Sequence, residues 1–315
     1  MTDGPRAPSA SPEAAIGTVP LPAGSVGALA MALVRSLRPR QWAKNVLVLA
    51  APAAAGALVV PAVIADAVVA VVAFCLVSSA TYLMNDLADR DGDRRHPLKA
   101  ARPIAAGLVS PALAGTAGLA LLVAGLAVGS RAGLGLVAVL AVYLAVNVAY
   151  SLGLRRVAVV DLAAVASGFV LRVLAGGVAT GVPVSRWLLI VASFGALFVV
   201  AGKRYGELLD HPGAASPGRA TLAVYTPAYL RFVTALASAV MIVAYCLWAF
   251  TAGMAYHGMA ELSVLPLALV VLRYGLLLET GQGGAPEEVF LRDRPLQALG
   301  VAWALIYGTG VYLGG

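Results

Sequence analysis

The sequence predicts an all-α polytopic membrane protein with nine transmembrane helices and a cytoplasmic N-terminus. Hydrophobic residues make up 61% of its 315 residues and charged residues only 12%, against about 25% charged residues in a typical soluble domain. Several apolar runs approach about 20 residues, the length that crosses a hydrocarbon core of roughly 30 Å. So little polar surface cannot coat a globule in water, which excludes the soluble classes.

The apolar runs place the nine spans near residues 41–60, 63–85, 110–129, 133–151, 157–179, 186–202, 227–252, 262–279 and 295–313. Residues 28–37 precede the first span and predict an interfacial helix. Residues 1–27 are rich in Pro, Ala, Ser and Gly and lack the pattern of a cleaved signal peptide, which predicts a disordered tail. The integral membrane catalytic domain is therefore expected to occupy residues 28–315.

The basic residues set the orientation of these spans. Of the 22 Lys and Arg residues, eighteen fall on the side of the N-terminus and of the long loops 86–109, 203–226 and 280–294, whereas only Arg131 and Arg186 fall on the other side. The positive-inside rule makes the first side cytoplasmic, and we expect a multi-pass protein of the plasma membrane. Because the charges follow the ends of spans, the net charge of +7 does not indicate a nucleic-acid partner.

The clearest chemical signal is an aspartate-rich run at the predicted cytoplasmic end of span two. On a continuing helix, Asn85, Asp86, Asp89 and Asp93 fall within an arc of roughly 100°, while Asp91 points away. Carboxylates on one face repel one another without a counter-cation, and hard oxygen ligands suit Mg²⁺ that is shared with phosphate oxygens. We predict that these four residues bind Mg²⁺, with a solvated acidic helix end as the alternative.

The loop after this run is basic. Metal-binding carboxylates beside cations are what a polyphosphate site needs, because the metal and the cations share the phosphate oxygens. The alternative is that these cations only obey the positive-inside rule. The candidate substrate-binding residues of this loop and of other span ends at the same depth are Arg94, Lys99, Arg102, Lys44, Asn45, Tyr150, Lys203 and Arg204.

A second acidic position, Asp161, lies near the cytoplasmic start of span five. A carboxylate within a span needs a partner, and that partner is either a second Mg²⁺ or an arginine in a structural contact. Arg172 follows on much the same helix face and joins the candidate substrate-binding residues. Gly168, Gly176 and Gly177 predict close helix packing.

Several motifs together resemble those of the UbiA-type membrane prenyltransferase superfamily, and most closely its branch that transfers a phosphoribosyl group to decaprenyl phosphate. The aspartate-rich motif is specific for the superfamily. The motifs of the branch are residues 38–45 (RPRQWAKN), 96–104 (HPLKAARPI), Asp161 with 167–172 (SGFVLR), and 201–207 (AGKRYGE). Asp161 stands alone where many prenyltransferases carry paired aspartates, which is consistent with the phosphoribosyl branch.

The resemblance implies a UbiA-type helical bundle, Mg²⁺ as cofactor, and Asp86, Asp89 and Asp161 as catalytic residues. It implies transfer of 5-phosphoribosyl from 5-phosphoribosyl 1-pyrophosphate to polyprenyl (decaprenyl) phosphate with release of pyrophosphate. This is an early step towards the lipid-linked arabinose donor for cell-wall arabinan. No general base is needed, because the acceptor phosphate is already ionised at pH 7.

Two other functions stay open. One is prenyl transfer from a polyprenyl diphosphate to an aromatic or other acceptor. The other is a transporter that uses the acidic residues as a cation path, although transporters usually place ionisable groups near the midplane. A homo-oligomer is possible in every case.

Overall fold

The computed structural model describes residues 26–97, 99–210, 220–251, 257–282 and 286–313, and within these ranges it is helical, without a β-strand. Seven of its α-helices, α3 and α5 to α10, are long and apolar enough to cross a membrane. The all-α class is confirmed, and these seven helices match predicted spans two to eight in order. The α-helices are α1 Val26–Leu37, α2 Ala50–Ala54, α3 Pro61–Ala88, α4 Arg90–Arg94, α5 Pro111–Gly129, α6 Leu134–Leu152, α7 Val160–Thr180, α8 Arg186–Asp210, α9 Pro227–Thr251, α10 His257–Glu279, α11 Pro286–Arg292 and α12 Arg294–Tyr312.

The first predicted span is not one α-helix. It consists of a 3₁₀-helix over Pro39–Leu49, the short α2, and a second 3₁₀ turn over Ala57–Val59. Proline at 39 and at 52 removes backbone donors, and Gly56 adopts a left-handed φ of 69° that ends α2. A 3₁₀-helix of 11 residues is unusual, since runs beyond about four residues are uncommon.

The two ends of the chain differ in part from the expected layout. The predicted interfacial helix coincides with α1, which begins at Val26. Most of the predicted disordered tail, residues 1–25, lies outside the described residues. The residues of the ninth predicted span form α12, a helix of 19 residues, but this helix is not among the seven that are long and apolar enough to cross a membrane.

Helix α7 lies at the centre of the bundle and packs against α3, α6, α8, α2 and the long 3₁₀-helix. A Cβ at Gly176 would overlap the carbonyl oxygen of Val48, and a Cβ at Gly177 would overlap the side chain of Val184. The predicted packing role is therefore confirmed for Gly176 and Gly177, because any side chain there would collide with these neighbours. It is not confirmed for Gly168, where a Cβ would meet only ordinary contacts of 3.6 Å and 3.7 Å.

Two buried clusters flank α7. One joins it to α8, α9 and α10 through residues such as Leu162, Phe198 and Leu230. The other joins it to α3 and α6 through Phe74 and Leu140. The C-terminal ends of α3, α6 and α8 meet the N-terminal ends of α7 and of the long 3₁₀-helix. We call this the aspartate end of the bundle.

Candidate active site

The aspartate-rich run is almost continuously helical. Helix α3 ends at Ala88, Asp89 leaves helical geometry at φ −89° and ψ 2°, and α4 resumes at Arg90. The helical periodicity is thus kept, which buries Asp86 and Asp93 and leaves the side chain of Asp91 85% exposed. The prediction that Asp91 points away from the others is confirmed.

Asp86 is held by two arginines. Its Oδ1 accepts from Nη2 of Arg38 at 2.5 Å and from Nη1 of Arg102 at 3.0 Å, and the aspartate side chain is only 4% exposed. The same Arg102 nitrogen donates to Oδ2 of Asp93 at 2.7 Å. Arg38 adopts a left-handed φ of 55° and stacks over the ring of Tyr82, so the backbone turns there to aim its guanidinium at the motif.

The other two motif residues are bound by the segment that follows α6 and by its last turn. Nη1 of Arg155 lies 3.1 Å from each carboxylate oxygen of Asp89. The Ser151 hydroxyl donates to Oδ1 of Asn85 at 2.8 Å. The aspartate-rich helix end is therefore tied to α6 and to its following loop by charge-assisted and neutral hydrogen bonds.

Arginines, not other acidic residues, are the nearest partners of these carboxylates. Within the described ranges, no three His, Cys, Asp or Glu side chains converge as a metal-binding group. The donors nevertheless fit a hard divalent cation in kind, because carboxylate and amide oxygens are the ligands that Mg²⁺ prefers. Each carboxylate would have to exchange an arginine for the metal.

Asp161, at the start of α7, is 1% exposed and is bound by three side chains. Its Oδ1 accepts from the Tyr225 hydroxyl at 2.5 Å and its Oδ2 from the Thr221 hydroxyl at 3.1 Å. Nε of Arg204 lies 3.5 Å from Oδ2. The arginine expected as one possible partner is thus present, and it is supplied by α8; the hydrogen bonds of Arg172 go elsewhere.

Tyr225 also binds the backbone just before α7. Its hydroxyl accepts from the N–H of Val159 at 2.6 Å. Val159 has φ 70°, a conformation that costs a β-branched residue about 1–3 kcal/mol and persists only where neighbours enforce it. Burial, and next the hydrogen bond to Asp161, raise the pKa of Tyr225. The phenol therefore keeps its proton and remains a donor to the carboxylate.

Arg204 connects this second acidic position to Tyr150. Nη2 of Arg204 donates to the Tyr150 hydroxyl at 3.4 Å and Nη1 to Oε2 of Glu207 at 3.2 Å. The structure thus brings together Tyr150, Arg204 and Asp161, which were predicted separately. Lys203, the residue before Arg204, is half-buried.

The other basic candidates, Lys99, Lys44 and Arg94, differ in burial and in the groups that they contact. Lys99 is half-buried, and the ammonium of Lys44 lies 6.0 Å from the ring centroid of Phe169. Nε of Arg94 donates to the carbonyl oxygen of Ala105 at 3.0 Å, which holds the loop after α4 in place.

Arg172 and Asn45 form a separate polar centre inside the bundle. Nε of Arg172 donates to Oδ1 of Asn45 at 2.8 Å, and Nη1 donates to the carbonyl of Gly168 at 2.6 Å. The guanidinium lies 5.4 Å from the ring centroid of Phe74 and 5.0 Å from that of Tyr143. It sits roughly 16 Å along α7 from Asp161 at 1.5 Å per residue. The two candidates are therefore brought together, but at mid-bundle depth and away from the aspartates.

Four residues that hold the acidic side chains escaped the sequence-based selection of site residues. Arg38 stood only in a motif and Arg155 only in the count of basic charges, while Thr221 and Tyr225 carried no signal. Their partners lie 48 to 66 residues away along the chain, so no local spacing could reveal them.

An apolar cavity of about 340 Å³ lies at the opposite end of the bundle. Its walls include three of the four tryptophans of the chain, and its floor is the alanine-rich α2. The aromatic residues that line it are Trp187, Tyr245, Trp248, Trp303 and Tyr307. It offers an apolar surface within the spanning region.

Comparison with known proteins places this architecture in a family. The model of the UbiA prenyltransferase family matches residues 46–294. The chain belongs to this family. Membership of this family, which the aspartate-rich motif led us to expect, is therefore confirmed.

Curated UbiA-family relatives and solved structures agree with this assignment. The chain is 43% identical over 296 residues to decaprenyl-phosphate phosphoribosyltransferase from Corynebacterium glutamicum, covering 90% of the chain and 88% of the relative. It is 44% identical over 292 residues to the enzyme of that name from Mycobacterium tuberculosis (H37Rv), covering 91% and 96%. A UbiA homolog from Archaeoglobus fulgidus bound to GPP and Mg²⁺ matches with a TM-score of 0.67 and 20% identity over 90% of this chain and 99% of that one. At that identity the match shows the fold.

Proposed function

We propose that this protein transfers 5-phosphoribosyl from 5-phosphoribosyl 1-pyrophosphate to a polyprenyl phosphate such as decaprenyl phosphate. The observation that carries the proposal is the 43–44% identity, over nine tenths of the chain, to relatives named decaprenyl-phosphate phosphoribosyltransferase. The product would be a precursor of a lipid-linked arabinose donor for the cell wall.

The bonds made and broken follow from the substrates. An ionised oxygen of the acceptor phosphate attacks the anomeric carbon of the ribose, and the bond to pyrophosphate breaks with its electron pair on the leaving group. The acceptor needs no general base, because its phosphate is already deprotonated at neutral pH. The site must therefore bind and orient two phosphorylated substrates and stabilise negative charge.

The acidic residues would hold the cofactor in this proposal. Asn85, Asp86, Asp89 and Asp93 form one set of oxygen donors and Asp161 a second. Bound Mg²⁺ would supply Lewis-acid stabilisation of the departing pyrophosphate. The solved family structure with GPP and Mg²⁺ supports a divalent metal in this fold.

The arginines would change partners when substrate binds. Arg38, Arg102 and Arg155 each neutralise a carboxylate of the motif. A guanidinium matches phosphate as well as carboxylate geometry, so each can move its hydrogen bonds to a phosphate oxygen of the donor. The remaining proposed substrate-binding residues are Lys44, Asn45, Arg94, Lys99, Tyr150, Arg172, Lys203 and Arg204.

The topology belongs to the same proposal. Residues 28–315 would form the catalytic domain in the plasma membrane, with the broken first span and α12 completing nine spans. The excess of basic residues at the aspartate end supports a cytoplasmic N-terminus and active site, where the water-soluble donor arrives. The aromatic cavity at the other end suits part of the acceptor's apolar tail.

The test is a transfer assay with the purified full-length protein. Phosphoribosyl pyrophosphate labelled in the ribose is incubated with decaprenyl phosphate and Mg²⁺, and lipid-soluble label and pyrophosphate are measured. We expect both products in equal amounts, and neither after the metal is chelated. Consumption of a polyprenyl diphosphate with an aromatic acceptor, and none of the ribosyl donor, would refute the proposal in favour of prenyl transfer.

A further inference from the structure

The carboxylate of Asp161 is held by a segment distant in the chain. Tyr225 and Thr221 lie in the stretch between α8 and α9, which includes a 3₁₀ turn over Ala220–Ala223. Each donates a hydroxyl hydrogen bond to a different carboxylate oxygen of Asp161. Both residues are buried, at 5% and 1% exposure, so the orientation of Asp161 depends on the packing of this segment.

The hydroxyl of Tyr225 joins two groups that would otherwise be independent. It accepts from the N–H of Val159 and donates to the carboxylate of Asp161. Val159 is the N-cap residue of α7 and has a positive φ. The phenol therefore links the backbone conformation at the start of α7 to the orientation of the Asp161 carboxylate.

Arg204 competes for the same carboxylate. Its Nε lies 3.5 Å from Oδ2 of Asp161, beyond the 2.7–3.2 Å of a good N–H···O bond, and this buried atom has no hydrogen-bond acceptor within range among the described residues. The hydroxyl bonds from Tyr225 and Thr221 hold the carboxylate at this separation. Without them, Asp161 can close the gap and accept a hydrogen bond from Nε of Arg204, which tightens the existing ion pair.

We infer that Tyr225 is a positioning residue, which keeps Asp161 from a direct hydrogen bond with Nε of Arg204 and orients its carboxylate for a divalent cation. This inference rests on the proposed function only in taking Asp161 as a metal ligand. Thr221 assists from the second carboxylate oxygen. The segment between α8 and α9 thereby controls the second acidic position through two neutral hydroxyl groups.

The experiment measures Mn²⁺ binding to the full-length protein in detergent, from the loss of the EPR signal of free Mn²⁺, with and without inorganic pyrophosphate. Tyr225→Phe should weaken Mn²⁺ binding about tenfold, because one hydrogen bond to a charged group is lost. In the transfer assay it should raise the Mg²⁺ concentration for half-maximal rate by a similar factor. Saturating Mg²⁺ should restore most of kcat.

Tyr229→Phe is the matched control. Tyr229 stacks on Tyr225 with ring centroids 5.8 Å apart, whereas the hydroxyl that binds Oδ1 of Asp161 belongs to Tyr225. We expect wild-type Mn²⁺ affinity for this variant. Unchanged affinity in Tyr225→Phe, or an equal loss in Tyr229→Phe, would overturn the inference.

A second variant covers the case in which Tyr225→Phe does not fold. Thr221→Val keeps the shape of the side chain and removes the other hydroxyl donor, so Mn²⁺ binding should weaken about threefold. Wild-type affinity in this folded variant would equally overturn the inference, as would a wild-type protein that binds no Mn²⁺. A wild-type protein that binds Mn²⁺ but does not use the ribosyl donor would refute the proposed function alone.

Discussion

Arg155 donates from a single guanidinium nitrogen to both carboxylate oxygens of Asp89, at 3.1 Å each, across 66 residues of sequence. Each side chain is about a third exposed, so the pair can open without breaking the core. This ion pair is more accessible than those that Asp86 and Asp93 form, and it offers the donor a cation near the proposed metal ligands.

Replacing Arg155 by alanine should weaken binding of the ribosyl donor. We expect its KM to rise about tenfold, since a charge-assisted hydrogen bond to phosphate contributes about 1.5–3 kcal/mol. Steady-state kinetics at saturating acceptor measure this. Arg156→Ala, which removes the same charge from the exposed next residue, should leave KM within a factor of two. An equal rise in both variants would mean that only the general electrostatic field matters.

Asp89→Asn should abolish turnover without loss of folded protein. The side chain of Asp89 is 38% exposed and pairs with the part-exposed Arg155, so its neutralisation strands no deeply buried charge. Transfer activity and thermal unfolding in detergent report the two effects, with the exposed Asp91→Asn as control for charge. Activity retained above a tenth of wild type would contradict the metal-binding role of Asp89.

Asp86→Asn should lose both activity and stability. Asp86 is 4% exposed between Arg38 and Arg102, and removing its charge takes the carboxylate from Arg38 and leaves Arg102 with Asp93. We expect a loss of about 1–3 kcal/mol, below the 3–5 kcal/mol of a fully buried pair because both arginines are about a third exposed. A melting temperature equal to that of Asp89→Asn would show that these ion pairs do not stabilise the fold.

Gly176→Ala should destabilise the bundle by more than about 3 kcal/mol, since the added methyl would meet backbone that cannot rotate away. The methyl group would overlap the carbonyl oxygen of Val48. Thermal unfolding in detergent is the measurement. Gly275→Ala, with nothing within 4 Å of its Cβ position among the described residues, should cost nothing and gain helix propensity. Equal stability of both variants would disprove the close approach.

The salt bridge between Asp293 and Arg273 should make stability depend on acid pH. The hydrogen bond from Arg273 lowers the pKa of Asp293, which also caps α12 by accepting from the N–H of Leu296. A carboxyl with a lower folded pKa stabilises the protein above its unfolded value of about 3.9. That contribution is lost as pH falls through the folded pKa.

The measurement is the difference in melting temperature between wild type and Asp293→Ala. It should be constant from neutral pH to about 5 and shrink only below about pH 4. A difference that persists unchanged at more acid pH would show that packing, and not charge, explains the effect of Asp293.

The parts of the fold that could be predicted from the sequence are those that depend on composition and local period. Spans two to eight were visible because each is an apolar run with very few charged residues, and the burial of Asp86 with the exposure of Asp91 followed from helical spacing. The interruption of the first predicted span was not visible, because hydropathy does not distinguish a 3₁₀-helix from an α-helix. Only Pro39 and Pro52 hinted at the interruption.

The candidate site was predictable in its charges but not in its pairings. The acidic residues stood out because charge is rare in this chain, whereas Arg155 was one of many arginines at span ends. Tyr225 and Thr221 are ordinary polar residues whose role depends on where α9 packs against α8. Tertiary contacts of this kind leave no periodic trace in the sequence.

The long 3₁₀-helix covers nearly the same distance as the stretch of α3 that lies beside it. From Arg38 to Asn45 the chain rises roughly 14 Å at about 2.0 Å per residue, where an α-helix would rise roughly 10 Å. On α3, Asn45 contacts Cys75 and Arg38 contacts Asp86. These two residues of α3 are separated by roughly 16 Å along the helix axis. The longer rise per residue therefore lets one short segment contact Cys75 at mid-bundle depth and Asp86 at the aspartate end.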